Sequence, residues 1–172
     1  IQKYKKFITT FISEADSGIY DGINKGINYA TGDIISILHS DDYYAHKKVL
    51  LDVVNIFKKK IELKCLVGAT YMVKKENDEI VRKYSPVNFK NWMFNLGISP
   101  PHPSMFLKKE IYDRYGLYKT DYKIAGDFEF YLRIILKKKI KICMSNTNYV
   151  IMRLGGKSTI SFKSNFISSR EI

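Results

Sequence analysis

The sequence predicts an α/β fold, and the stretch from residue 13 to 43 carries the observations that predict it. Three isoleucines at helical spacing predict an amphipathic helix: Ile19, Ile23 and Ile27. Residues 33–38 form a short apolar run that is typical of a buried parallel strand. The carboxylates of Asp41 and Asp42 follow that run, and open α/β sheets bind their ligands at the carboxyl ends of strands. Helix, strand and carboxylate pair therefore predict half of an α/β unit with a ligand site at its edge.

Both ends of the predicted helix have sequence signals. Asp16 or Ser17 is placed to cap its start, because a short oxygen side chain can accept the first unpaired backbone N–H groups. Gly32 is expected to end it, since glycine adopts the left-handed closing conformation without a Cβ penalty.

Helical and strand patterns alternate through the rest of the chain. Residues 49–57 repeat apolar side chains at helical spacing. Residues 63–73 and 80–84 flank a polar turn, which predicts a hairpin. Residues 109–115 predict a short helix, and a further amphipathic helix begins at Asp127.

Length and composition fit one domain with a substantial core, at 172 residues. The formal net charge of +12 favours anionic partners such as phosphate-bearing substrates, nucleic acid or an anionic membrane surface. A biased composition rich in Ile, Lys, Asn and Tyr explains the same charge equally well. Cys65 and Cys143 lie in apolar, strand-like runs, which argues for a reducing compartment. With no apolar run of about 20 residues and no secretory leader, the expected location is cytoplasmic.

The Asp41–Asp42 pair suits the handling of a nucleoside diphosphate. Two phosphates would repel two carboxylates unless a divalent cation lies between them. Mg²⁺ and Mn²⁺ are commonly held by one or two carboxylates together with substrate phosphates. The alternative is that the aspartates only cap a helix that starts near Ala45.

Residues 18–42, GIYDGINKGINYATGDIISILHSDD, resemble the family-two inverting glycosyltransferases of bacterial surface polysaccharide synthesis. The resemblance continues in order at residues 100–104 (PPHPS), 125–129 (AGDFE) and 152–156 (MRLGG). His39 departs from the pattern, since it stands where a strict Asp-x-Asp motif has its first aspartate. Family members also carry a further βαβ segment upstream of the point where this sequence begins.

The resemblance implies a nucleotide-sugar-binding, Rossmann-like mixed sheet flanked by helices, in a single domain over residues 1–172 that lacks its first βαβ segment. It implies that Asp41 holds Mn²⁺ or Mg²⁺, with Asp42 beside it. The donor would be a nucleoside-diphosphate sugar, with a uridine-diphosphate sugar expected. The acceptor would be a saccharide or a lipid-linked sugar, and the basic charge is compatible with peripheral contact at the anionic inner membrane surface.

Asp127 is the candidate general base, although a carboxylate in the first turn of a helix can equally be an N-cap. Gly126 would leave room for a substrate. Glu129 is the second candidate base and should point away from Asp127, two residues along the helix. Prolines fix the position of His102, which could touch acceptor, phosphate or metal.

The nucleotide side of the cleft is assigned to Asp16, Asn24, Lys25, Asp42 and Arg153. A loop with Gly155 and Gly156 could close over the diphosphate together with Arg153 and Lys157. The only tryptophan, Trp92, is expected in the core; the alternative is an exposed ring that stacks on a sugar.

Two other functions stay open. The chain could be a catalytically inactive remnant of a transferase, because the front of the nucleotide site is missing from the sequence. It could also be a basic nucleic-acid-binding domain, although no basic-aromatic motif of that kind is present and acidic residues occupy its most distinctive segment.

Overall fold

A six-stranded mixed sheet forms the centre of the protein, and the structure, a computed structural model, describes residues 2–154. The strands are β1 (Ile34–Ser36), β2 (Tyr43–Tyr44), β3 (Cys65–Val73), β4 (Ile80–Tyr84), β5 (Met105–Lys108) and β6 (Ile142–Arg153). Their order is β1-β5-β3-β6-β2, and β4 pairs with the second half of β3. β3 and β6 run parallel, whereas the other neighbouring pairs are antiparallel. The predicted mixed α/β architecture and the β3–β4 hairpin are confirmed.

Helices cover both faces of this sheet. They are α1 (Ile19–Tyr29), α2 (Val49–Lys59), α3 (Lys109–Tyr115) and α4 (Gly126–Tyr131), which continues as a π-helix over Leu132–Lys137. Short 3-10 turns lie at Gln2–Phe7, Asn91–Leu96 and His102–Ser104. The four α-helices lie where the apolar periodicity of the sequence predicted helices.

The core consists of two clusters, one on each face of the sheet. Successive residues of β3 point to opposite faces, so Cys65 and Val67 join one cluster while Leu66 joins the other. The first cluster holds side chains of α1, α3 and α4, and the second holds the apolar face of α2. The sheet therefore has helices on both faces and presents its strand ends to solvent.

β6 is one continuous strand with an irregular register against β3. Val67 pairs with Met144, but Ala69 pairs with Asn148, so β6 uses two more residues than β3 over this step. A Cβ on Gly68 would lie 2.0 Å from Cδ2 of Tyr149, which shows that the bulge requires glycine at this position.

The run at residues 33–38 differs from its expected structure. β1 comprises only three residues, is at the end of the described strand order and pairs antiparallel with β5. Ile35 is its one buried side chain, and Leu38 is 41% exposed in the loop that follows. The prediction of a buried parallel strand was wrong, because an apolar run alone does not distinguish an edge position from a central one.

The start and the buried face of α1 also differ from expectation. Tyr20, Asn24 and Ile27 are the buried residues of α1; Ile27 belongs to the predicted isoleucine stripe and Ile23 is partly buried, but Ile19 is 47% exposed. Gly18 occupies the N-cap position without a side-chain cap; Oδ1 of Asp16 accepts a hydrogen bond from the Gly18 N–H at 3.1 Å. The predicted Asp16 or Ser17 cap was therefore wrong.

Trp92 does not lie in the core. Its side chain is 57% exposed, whereas Phe94 on the same 3-10 turn is buried. Phe94 packs edge-to-face on Phe128 at 5.6 Å between ring centroids. The smaller aromatic ring thus anchors this turn beside α4, and the indole faces solvent.

Candidate active site

The Asp41–Asp42 pair lies in the loop that leads from β1 to β2. A turn brings the Asp42 N–H to the carbonyl oxygen of His39 at 3.0 Å. Asp41 is exposed, while Asp42 is partly buried. Burial raises the pKa of Asp42; the charge of His39 opposes this shift, and the charge of Asp41 adds to it. This carboxylate is therefore held in surroundings that disfavour its negative charge.

Oδ2 of Asp42 is buried and has no hydrogen-bond partner within the described residues. Buried carboxylate oxygens are normally hydrogen-bonded or paired with a cation. No group of three or more His, Cys, Asp or Glu side chains in residues 2–154 could bind a metal alone. Two carboxylates with an unpaired oxygen fit a cation that also takes ligands from a bound diphosphate. The residues present thus fit Mn²⁺ or Mg²⁺.

Arg153 lies beside this pair because β2 and β6 are neighbours. Tyr43, which follows Asp42, pairs with Ile151, and Cζ of Arg153 is 4.8 Å from the centroid of the Tyr43 ring. Nε of Arg153 is 3.3 Å from Oδ1 of Asp78. The sheet therefore brings the Arg153 guanidinium over the ring of the residue that follows the two aspartates. The assignment of Arg153 to the nucleotide stays a prediction. Gly155, Gly156 and Lys157 lie outside the described residues.

Asp127 lies in the first turn of α4, at the edge of the first core cluster. Its Oδ1 accepts a hydrogen bond from the Phe128 N–H at 2.9 Å. The Tyr20 hydroxyl is 3.4 Å from the same oxygen, accepts from the Asp127 N–H at 3.3 Å, and donates to the carbonyl of Ile124. Tyr20 thus binds the backbone on both sides of Gly126 and holds the start of α4 in place.

Gly126 has a different role from the one expected. A Cβ at this position would lie 2.7 Å from Cε2 of Tyr20. The space left by the missing side chain is filled by the tyrosine ring and is not available to a substrate. The expectation that Gly126 leaves room for a substrate was therefore wrong.

Glu129, the second candidate base, is engaged elsewhere. Its Oε2 is 3.0 Å from Nη2 of Arg133, and its Oε1 is 3.5 Å from Nζ of Lys119. Arg133 also donates to the carbonyls of Tyr115 and Leu117, so this ion pair anchors the loop after α3. These contacts lie away from those of Asp127, as the helix geometry predicted.

His102 is buried, with its Nε2 2.7 Å from the hydroxyl of Tyr118. Burial lowers the pKa of His102, Asp127 opposes this shift, and His39 adds to it. Both Asp127 and His39 are therefore within electrostatic reach of His102. Of these two charges, one comes from the start of α4 and the other from the loop that carries Asp41 and Asp42.

The other nucleotide-side candidates separate into two groups. Asp16 and Lys25 line a cavity of about 850 Å³ between residues 9–16 and the outer face of α1. Nζ of Lys25 is 2.9 Å from Oε1 of Glu14. Asn24 faces the opposite way: its amide donates to the carbonyl of Tyr118 and accepts from the Tyr118 N–H. The assignment of Asn24 to the nucleotide stays a prediction, and its present contacts join α1 to the loop after α3.

Sequence reasoning missed Tyr20 and Tyr118 as residues that organise the site. Tyr20 lies within the GIYD motif, but the isoleucine spacing that predicted the buried face of α1 did not include it. Tyr118 receives contacts from His102, Asn24 and Tyr112, which come from three separate parts of the chain. No local pattern marks such a residue.

The described residues form a mixed α/β domain whose sheet has helices on both faces. Residues 1–140 match the model of Glycosyl transferase family 2, and the chain belongs to that family.

Relatives and solved structures agree with this assignment. Two strains of Mycobacterium tuberculosis, H37Rv and CDC 1551, each have an uncharacterized glycosyltransferase that is 33% identical over 128 residues. That match covers 72% of this chain and 47% of each relative, so the chain spans about half the length of these relatives.

The crystal structure of S. aureus TarS 1–349 is similar, with a TM-score of 0.63 and 18% identity over 88% of this chain and 46% of that one. A complex of TarS 1–349 with UDP has a TM-score of 0.62 and 16% identity, covering 98% of this chain and 49% of that one. At these identities the similarity shows the fold.

Proposed function

We propose that this chain contributes to the transfer of a sugar from a nucleoside-diphosphate sugar, with UDP as the nucleotide, to an acceptor hydroxyl with inversion at the anomeric carbon. The observation that carries this proposal is the Asp42 carboxylate, which is partly buried and leaves Oδ2 without a partner among the described residues. Family membership and the similarity to a UDP-bound structure support the donor class. The proposed acceptor is a saccharide or lipid-linked sugar used in cell-surface polysaccharide synthesis.

In this proposal Asp41 and Asp42 hold Mn²⁺ or Mg²⁺. When bound, the ion would supply positive charge to the departing diphosphate. Arg153, which lies over the ring of the adjacent Tyr43, adds positive charge for the diphosphate. Asp16 and Lys25 serve the donor from the cavity next to α1.

Asp127 is the proposed base. The acceptor oxygen forms a bond to the anomeric carbon as the bond from that carbon to the diphosphate oxygen breaks. The hydroxyl proton passes to Asp127, whose Oδ1 is already oriented by the Phe128 N–H. Attack on the face opposite the leaving group gives inversion. The proposed site of action is the cytoplasm, at the inner face of the membrane.

Calorimetric titration with UDP tests the donor site directly. We expect binding that requires Mn²⁺ and that falls at least tenfold in Asp41→Asn and Asp42→Asn, because each substitution removes a charged ligand. Asp113→Asn is the matched control, since Asp113 is exposed and, within residues 2–154, pairs only with Lys109. Equal UDP affinity with and without metal would contradict the proposed ion site.

A transfer assay then separates the two candidate bases. Asp127→Asn should retain UDP binding but lose about 10² to 10⁴ in transfer rate, the usual range for a general base. Glu129→Gln should instead lower the free energy of unfolding, because it removes the carboxylate that pairs with the largely buried Arg133 guanidinium. Normal turnover by Asp127→Asn would overturn the assignment of the base.

A further inference from the structure

One end of the sheet carries a concentrated positive charge. β3 and β6 begin there, β5 ends there, α2 and the π-helix end there, and α3 begins there. The backbone N–H of Lys64 donates to the carbonyl of Lys141, and that of Lys108 donates to the carbonyl of Lys64. We call this surface the basic end. Its cations are Lys58, Lys59, Lys60, Lys64, Lys108, Lys109, Arg114, Lys137, Lys138, Lys139 and Lys141.

The distribution of charge argues against a simple compositional bias. Eleven lysine and arginine residues at the basic end accompany four acidic ones: Asp33, Glu62, Glu110 and Asp113. The rest of residues 2–154 has fifteen cations and twelve acids, which is close to balance. A biased composition would scatter lysine over the whole surface, so the concentration at one end needs another explanation.

Few of these cations are neutralised within the protein. Lys64 pairs with Glu110 at 2.7 Å, and Lys109 pairs with Asp113 at 3.0 Å. The four lysines around the end of the π-helix and the start of β6 are exposed, and no ion pair involves them within residues 2–154: Lys137, Lys138, Lys139 and Lys141. A groove of about 550 Å³ lies between α3 and the last three of these lysines, and five cations and three acidic residues line it. Unpaired cations around a shallow groove favour an extended anionic partner over a point ligand.

An exposed isoleucine distinguishes between anionic partners. Ile61 is 76% exposed at the turn that follows Lys58, Lys59 and Lys60. Nζ of Lys108 donates to the Ile61 carbonyl, so the turn is fixed against the basic end. An apolar side chain among lysines suits the interface of a bilayer, where it can enter the headgroup region while the lysines contact phosphates. A nucleic acid backbone offers no matching apolar layer.

We infer that the basic end docks on an anionic phospholipid surface, with Ile61 at headgroup level and the surrounding lysines on the lipid phosphates. The inference stands on charge and exposure and does not depend on the transfer reaction. It also fixes an orientation. Asp127 lies in the first turn of α4, and the π-helical continuation of α4 ends at the lysines of the basic end. The nine residues of β3 span about 30 Å from this end of the sheet to the opposite end. The candidate active site therefore lies at the end of the sheet away from the docked membrane, so this orientation suits a saccharide acceptor and not a sugar linked directly to lipid.

Vesicle co-sedimentation of the full chain tests this inference. We expect binding to phosphatidylglycerol-containing vesicles, little binding to phosphatidylcholine alone, and release at about 1 M salt, where the Debye length is about 3 Å. Replacing Lys137, Lys138 and Lys139 with Gln should lower the partition coefficient about 100-fold, at about fivefold for each lysine. Ile61→Gln should lower it further without affecting the charge.

The matched control is a triple Gln variant of Lys74, Lys75 and Lys83, three exposed lysines of the β3–β4 hairpin. It changes the net charge equally at the other end of β3 and should retain vesicle binding. An equal loss in both triple variants would overturn the inference, since charge alone would then explain binding. Binding to RNA with no binding to anionic vesicles would also overturn it.

Discussion

At the scale of single residues, Tyr20 is the side chain that joins α1 to the start of α4, where the candidate base Asp127 lies. It belongs to α1, yet its hydroxyl contacts the backbone of Ile124 and Asp127 and lies 3.4 Å from the Asp127 carboxylate. Burial raises the pKa of Tyr20, and the Asp127 charge adds to this shift. The hydroxyl therefore stays protonated and keeps its contacts across the working range of pH.

The Tyr20→Phe variant should separate the role of the hydroxyl in positioning Asp127 from the role of the ring in stabilising the fold. The ring keeps its packing on Gly126 and its stacking on Tyr118, while the Asp127 N–H loses its acceptor, so we expect a loss of about 1 kcal/mol in unfolding free energy. UDP affinity and KM should stay unchanged, whereas kcat should fall about tenfold because Asp127 is held less firmly. Steady-state kinetics and calorimetric UDP binding measure the two effects.

Tyr131→Phe is the matched control for this experiment. The Tyr131 hydroxyl is buried and has no hydrogen-bond partner in the described part of the chain, so its removal should leave both stability and kcat intact. A Tyr20→Phe variant with normal kcat would show that the hydroxyl does not position the base. A parent chain without transfer activity would instead count against the proposed function itself.

At the scale of elements, the packing of α1 against the start of α4 decides the shape of the site. Gly126 allows the Tyr20 ring to lie against the first turn of α4. Asn24, one turn further along α1, pairs with the backbone of Tyr118 at 2.7 Å and 3.0 Å. α1 is thus fixed at two points, and its outer face lines the cavity that contains Lys25.

Gly126→Ala tests this contact against a glycine of α1. The added Cβ would lie within 2.7 to 2.9 Å of three ring atoms of Tyr20, so we expect a loss of about 1–3 kcal/mol in unfolding free energy. Gly26→Ala meets no heavy atom within 4 Å and should gain about 0.5–1 kcal/mol through helix propensity. Urea unfolding of both variants measures the difference. A neutral Gly126→Ala would mean that Tyr20 can move without cost.

At the scale of the whole molecule, sequence periodicity located the helices and the β3–β4 hairpin, because local repeats of apolar residues report local structure. It did not place β1 at an edge, since neighbouring strands come from distant parts of the chain. It also did not reveal the contact between Tyr20 and Asp127, which are 107 residues apart. Asp41, Asp42 and Asp127 could be chosen as candidates because their residue types match a known chemistry, whereas Tyr20 and Tyr118 have no such signal in the sequence.

The stability of the whole molecule should depend on pH through His102. Burial holds the pKa of His102 below the value of about 6.5 expected in the unfolded chain, so the unfolded state binds a proton that the folded state does not. Stability is then complete above about pH 6.5 and falls as the pH decreases below it, by at most about 1.4 kcal/mol per pH unit.

Urea unfolding at about pH 7 and about pH 5.5 measures this dependence. His102→Gln should lower stability at both values, because it loses the bond to Tyr118, but should reduce the difference between them. His46→Gln is the matched control, since it removes an exposed imidazole that lies outside the core. If the His102→Gln variant kept the full pH dependence of the parent, another group would have to titrate on folding. In that case the neutral, buried His102 would not be what makes the core sensitive to acid.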